Sequence, residues 1–139
     1  MRRIIFFSLL FAGFASWTGC EKTDDISVSN VSTVAQTGNW RIAYFSDDGR
    51  DETSNYTSDR FVFGSGGTIT ATAGASTFTG NWASYKDDGV TKLNIDFTAP
   101  ARLLELTDDW DVVEVNNNMI SLRDVSGGSG GTDWLRFER

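Results

Sequence analysis

From residue 38 onward, apolar side chains recur at every second position, the period of a strand with one buried face. Trp40, Ile42 and Tyr44 fall on one face of a first strand. Ile69, Ala71 and Ala73 sit between threonines, and Phe78 and Trp82 alternate with Thr77, Thr79 and Asn81. Leu93, Ile95 and Phe97 alternate with Lys92, Asn94 and Asp96. The pairs Phe61/Phe63, Trp110/Val112, Ile120/Leu122 and Leu135/Phe137 mark four more strands, which brings the predicted total to eight.

Turn chemistry separates these strands. Asp47-Asp48-Gly49 and Asp87-Asp88-Gly89 supply the positive φ that a tight hairpin needs, and glycine- or asparagine-rich runs at 64–67, 116–118 and 127–131 punctuate the rest. Links this short make successive strands antiparallel neighbours. The expectation is an all-β, eight-stranded antiparallel up-and-down β-barrel, since closure removes the sheet edges; two packed sheets are the other arrangement the pattern allows. Short helices are predicted at Asn30 to Thr37, with Val31, Val34 and Ala35 on one side, and at Pro100 to Leu106. Thr37-Gly38-Asn39-Trp40 recurs as Thr79-Gly80-Asn81-Trp82, which is either half-barrel duplication or reuse of good strand-and-turn chemistry.

The N-terminus breaks the pattern. Arg2 and Arg3 precede an apolar run from Ile4 to Trp17, followed by Thr18, Gly19 and Cys20, the sole cysteine. The run falls short of the ~20 residues that span a bilayer, so it reads as an export signal. Trp17-Thr18-Gly19-Cys20 resembles a lipobox, in which the cysteine is acylated and becomes the first mature residue; Trp17 stands where that pattern prefers Leu. Gly13 and Ala15 offer a second cleavage site, which would leave Cys20 a free thiol. Glu21-Lys22-Thr23-Asp24-Asp25 is either a solvated linker or, as it resembles, an acidic tract that sends lipoproteins to the cell surface. The expected organisation is a lipoprotein signal peptide over 1–19, a lipidated tether over 20–29 and one domain over 30–139, in the outer membrane or at the cell surface. Two of the 12 basic residues leave with the signal and none of the 19 acids, so the net charge moves from −7 to −9. A chain this acidic is repelled by nucleic acid, and its membrane contact is expected through a lipid on Cys20. One cysteine permits no internal disulfide.

Gly38-Asn39-Trp40 opening the first strand, with a short helix before it, resembles the Gly-x-Trp signature of lipocalins. Trp40-Arg41-Ile42, Asp51-Glu52-Thr53, Phe61-x-Phe63, Thr68 to Ala73, Gly80-x-Trp82, Leu106 to Val112 and the glycine-rich stretch from Val125 to Asp133 look like bacterial lipocalin-like lipoproteins, over residues 28 to 139. The resemblance implies a barrel whose closed end is crossed by Trp40, with Arg123 or Arg136 covering that ring.

Histidine is absent, which removes the commonest general base and metal ligand. The acidic clusters (Asp47, Asp48, Asp51 and Glu52; Asp87 and Asp88; Asp108, Asp109 and Asp111) fall in turns and read as solvated; Asp47 to Glu52 lacks the alternating acids of an EF-hand calcium loop. No enzymatic activity, cofactor or metal is expected. The aromatic set Trp40, Tyr44, Phe61, Phe63, Phe78, Trp82, Phe97 and Trp110 is the candidate site: it lines a pocket for a small apolar ligand, or it is simply the core. Ala71, Ala73 and Gly80 would leave interior space beside it. The expected protein is a monomeric lipoprotein binding a small apolar ligand, the alternative being a non-enzymatic envelope interaction module with a filled barrel.

Overall fold

The computed structural model describes residues 26–125 and 131–139. The expected signal segment, Cys20, the acidic run to Asp25 and most of the 127–131 glycine run lie outside these residues.

Helix α1 (Val28–Ala35) leads into strands β1 (Arg41–Asp47) and β2 (Arg50–Asp51), a 3-10 turn (Thr53–Tyr56), β3 (Asp59–Phe63), β4 (Thr68–Ala73), β5 (Ser76–Asp87), β6 (Val90–Asp96), helix α2 (Ala101–Leu104), β7 (Asp108–Asn116), β8 (Met119–Val125) and β9 (Thr132–Glu138). All strands join one antiparallel sheet in the order β2-β1-β9-β8-β7-β6-β5-β4-β3. The eight strands expected from the alternation are present, as are both helices. The Asp-Gly turns take the expected form, with positive φ at Asp48 and Gly49 and again at Asp88 and Gly89, the signature of two-residue hairpins.

The sheet differs from an eight-stranded closed ladder. It has nine strands, and β2 and β3 are its edges. One antiparallel bridge reaches across: Trp40 N–H donates to Phe61 O, and Phe61 N–H to Trp40 O, both at 2.8 Å. Further pairing of β1 with β3 stops there for a local reason. Past Asp47 the chain folds back on β1, so Phe45 O accepts from Glu52 N–H at 2.9 Å. Thr53 Oγ1 accepts from Phe45 N–H at 2.9 Å. The backbone groups a neighbouring strand would need are already used.

Strand parity places the core. Ile42 and Phe45, Phe61 and Phe63, Ile69 and Ala71, Leu93, Ile95 and Phe97, Trp110 and Val112, Ile120 and Leu122, and Leu135 and Phe137 are all buried. Helix α1 covers one end of the sheet. Ser27 caps it by accepting from Asn30 N–H, and Val31, Val34 and Ala35 enter the core. Short bonds hold it down, from Thr91 Oγ1 to Ile26 O and between Ser32 and Ser84 hydroxyls, both 2.5 Å. At the opposite end, α2 buries Leu103 and the residues after it bury Leu106, while Leu104 points to solvent.

Candidate functional site

Of the eight aromatic candidates, Trp40, Phe61, Phe63, Phe97, Trp110 and Trp82 are buried together, whereas Phe78 is only partly buried. Four of them join two edge-to-face groups that recruit rings outside the set. Phe63 meets Trp82 at 5.4 Å and Phe137 at 5.5 Å, Phe137 meets Phe61 at 5.4 Å, and Phe45 joins Tyr56 at 5.5 Å and Trp110 at 6.4 Å. Such pairs are worth about 0.5–1.5 kcal/mol each beyond the area they bury. Tyr44 leaves the set: a bulge between Ile42 and Tyr44 shifts parity, so Phe45 takes the inward position and Tyr44 faces outward, half-buried.

The small residues are occupied. A Cβ on Gly80 would stand 2.4 Å from the Asp96 carbonyl oxygen and 2.8 Å from the Phe97 ring. Ala71 is fully buried in the row Phe61–Ala71–Phe78. Ala73 is half-buried at the strand end.

Trp40 is wholly buried beneath α1, and its indole Nε1–H donates to Ala35 O at 2.8 Å. The cation above its ring belongs to Arg139, with the guanidinium carbon 4.8 Å from the ring centroid and Nη2 donating to Thr37 Oγ1. Neither Arg123 nor Arg136 takes this place, because each faces outward from a strand whose neighbouring residues fill the core. The parity of Leu135, Phe137 and Arg139 carries the signal that finds it.

The other end holds a charged cluster that the sequence reading missed. Asp59, fully buried, accepts both arms of Arg102, Nη1 to Oδ2 at 2.7 Å and Nη2 to Oδ1 at 2.8 Å. The same guanidinium lies over the rings of Tyr56 at 5.9 Å and Phe78 at 5.8 Å. Tyr56 OH donates to Arg102 O at 2.5 Å and faces Glu105 Oε2 at 3.1 Å. Burial, then the Glu105 charge, pushes this phenol well above its ordinary range. A saturated ion pair and a phenol held neutral form a structural tie rather than an acid–base pair.

Acidic groups gather around the same end. Asp47, Asp48 and Asp133 bring carboxylate oxygens within 4.8 Å of one another. Asp133 enters from β9, which spacing within 47–52 does not reveal, while Asp51 and Glu52 turn away to Thr53 and Asn55. Burial and then the charges of Asp133 and Asp48 raise the pKa of Asp47. Calcium takes six to eight oxygens, and Asp133 Oδ1 already accepts from Asp48 N–H at 2.9 Å. The three carboxylates fall well short of a calcium shell.

No family model matches the chain, and no curated protein matches it. Among solved structures, it is similar to a DUF4847 family protein from Bacteroides vulgatus ATCC 8482, with a TM-score of 0.53 and 16% identity, over 78% of this chain and 96% of that one. At this identity the likeness speaks for the fold alone, an all-β architecture. Among the described residues, no helix is long and apolar enough to cross a membrane.

Proposed function

We propose that this chain is a lipid-anchored, non-enzymatic envelope module with a lipocalin-like barrel, whose interior serves as core and whose outer surface makes its contacts. The single observation that carries the filled interior is the seating of Phe97 on Gly80, where even a methyl group has no room. The barrel reading is supported by the Trp40–Phe61 bridge between the ends of the sheet. It is supported again by Trp40 buried beneath α1 at one end with a cation over its ring, as Gly38-Asn39-Trp40 implies by resemblance, although the cation is Arg139 and not Arg123 or Arg136. The anchor is Cys20, which holds a monomer on the outer membrane or at the cell surface. A small apolar ligand inside the barrel is the second reading, favoured by Phe78 and Ala73, which stay partly open near the α2 end.

Expression of the full chain with Cys20→Ser tests the anchor. The substituted protein is expected in the soluble envelope fraction and without label from a fatty-acid probe, while the parent stays with membranes. Equal membrane association of the two proteins would remove the lipoprotein from the proposal.

A further inference from the structure

Strand β9 turns Trp134, Arg136 and Glu138 outward, opposite in parity to the buried Leu135 and Phe137. Trp134 is 37% exposed, which is ordinary for a single surface side chain; what sets it apart is the polar set gathered around it. The register surrounds it with a particular chemistry. Arg136 lies between Tyr44 of β1 and Ser121 of β8 in one row, and Trp134 lies beside Arg123 in the next. Tyr44 is present because the β1 bulge turned it outward. Together Tyr44, Ser121, Trp134, Leu135 and Arg136 line a groove of about 310 Å³, the low end of the range that holds small molecules.

The groove is rich in donors. The Arg136 side chain is 43% exposed, and its Nε stands 3.2 Å from Glu138 Oε1, an ion pair by distance in which the Nε–H makes no hydrogen bond. Glu138 is itself braced by Arg41 Nη2 at 2.9 Å. The Nη edge of a guanidinium matches a carboxylate with two parallel bonds. Beside it, Arg123 Nη2 reaches Asp111 Oδ2 at 3.5 Å while its buried Nε has no hydrogen-bond partner, an unmet donor. The Tyr44 and Ser121 hydroxyls both give and accept hydrogen bonds.

We propose that this outer groove binds an acidic sugar, a hexuronic acid residue of a glycan. Trp134 offers a flat apolar face to the C–H side of a pyranose ring, Arg136 takes the carboxylate, and the hydroxyls of Tyr44 and Ser121 pair with ring hydroxyls. A simple aromatic acid would satisfy the ring and the guanidinium but not the two hydroxyls, and a neutral sugar would leave the Nη edge of Arg136 without a carboxylate. The site stands whether the interior is filled or hollow, and whether or not the chain carries a lipid.

The experiment titrates the full chain with tetragalacturonate, its methyl ester and benzoate, following tryptophan emission and heat. Tetragalacturonate is expected to give a saturable change that weakens with added salt. The methyl ester, Trp134→Ala and Arg136→Gln should each weaken binding by at least about tenfold, the loss of one charge-assisted contact. Trp134 and Arg136 are surface residues, so unchanged melting temperatures confirm that the variants fold. Absence of a saturable signal overturns the proposal. So does equal binding of the ester or of benzoate, or undiminished binding by the folded variants.

Discussion

Gly80 and Ala71 decide how the interior is used, because the chain spends its smallest side chains opposite its largest. Alternation alone shows which aromatics point inward, but not whether a small neighbour is a cavity wall or the socket of another ring. Only the seating of Phe97 against Gly80 separates these. Ala71→Leu is the sharper probe, since Ala71 is fully buried between Phe61 and Phe78 in the strand rows. In a filled core the added volume should cost about 1–3 kcal/mol in urea unfolding, and the parent protein should take up no apolar dye. A tolerated leucine together with micromolar dye uptake by the parent would favour the interior-ligand reading instead. Tyr44 shows the opposite limit of sequence parity. One bulge exchanged it with Phe45, and nothing in Trp40-Arg41-Ile42-Ala43-Tyr44 announces that extra residue.

At the scale of elements, helix α2 is too short to hold itself by its own hydrogen bonds. Leu103, Leu106 and the Arg102–Asp59 pair fasten it to β3. Asp59 shares the parity of Phe61 and Phe63, so its inward direction is readable from sequence. Its partner 43 residues away is not, because that contact depends on how the sheet brings β3 beneath the helix. The two partners are unequally exposed, 0% for the Asp59 side chain and 30% for that of Arg102. Removing the cation strands a carboxylate with no access to water, whereas removing the anion leaves a cation that can reach solvent. Arg102→Met is therefore expected to cost about 3 kcal/mol or more, and Asp59→Asn about 1–2 kcal/mol. Chemical denaturation of both variants checks the order. An Asp59→Asn loss equal to or above that of Arg102→Met would show that the buried carboxylate is not what sets the cost.

Across the whole molecule, charge is distributed unevenly between the two ends, and this sets the response to acid. Asp47, Asp48, Glu52, Glu105 and Asp133 crowd the end opposite α1, and Asp108 and Asp124 stand near them. Burial first, then like charges, raises the pKa of Asp47; for Asp108 burial raises it against an opposing hydrogen bond from the Asp109 backbone N–H, and the neighbouring charges add to the rise. A group raised above its unfolded value of 3.8 destabilises the fold fully at neutral pH. That penalty is relieved as pH falls through the folded pKa. Asp111 behaves in the opposite sense: burial opposes its charge, but the Lys92 hydrogen bond and charge, then Arg123, outweigh it and hold the pKa below 3.8. Its contribution persists until pH falls below that value. The melting temperature should therefore rise as pH falls from neutral towards the folded pKa of Asp47, which lies above 3.8, and fall again once pH drops below 3.8 and Asp111 is protonated. Asp47→Asn should raise the neutral-pH melting temperature and flatten the rise on acidification, because the burial and repulsion it relieves are the source of that slope. Thermal melts of both proteins across this range measure it. A parent melting temperature that only declines from neutral pH would mean that attraction, not repulsion, governs the acidic end.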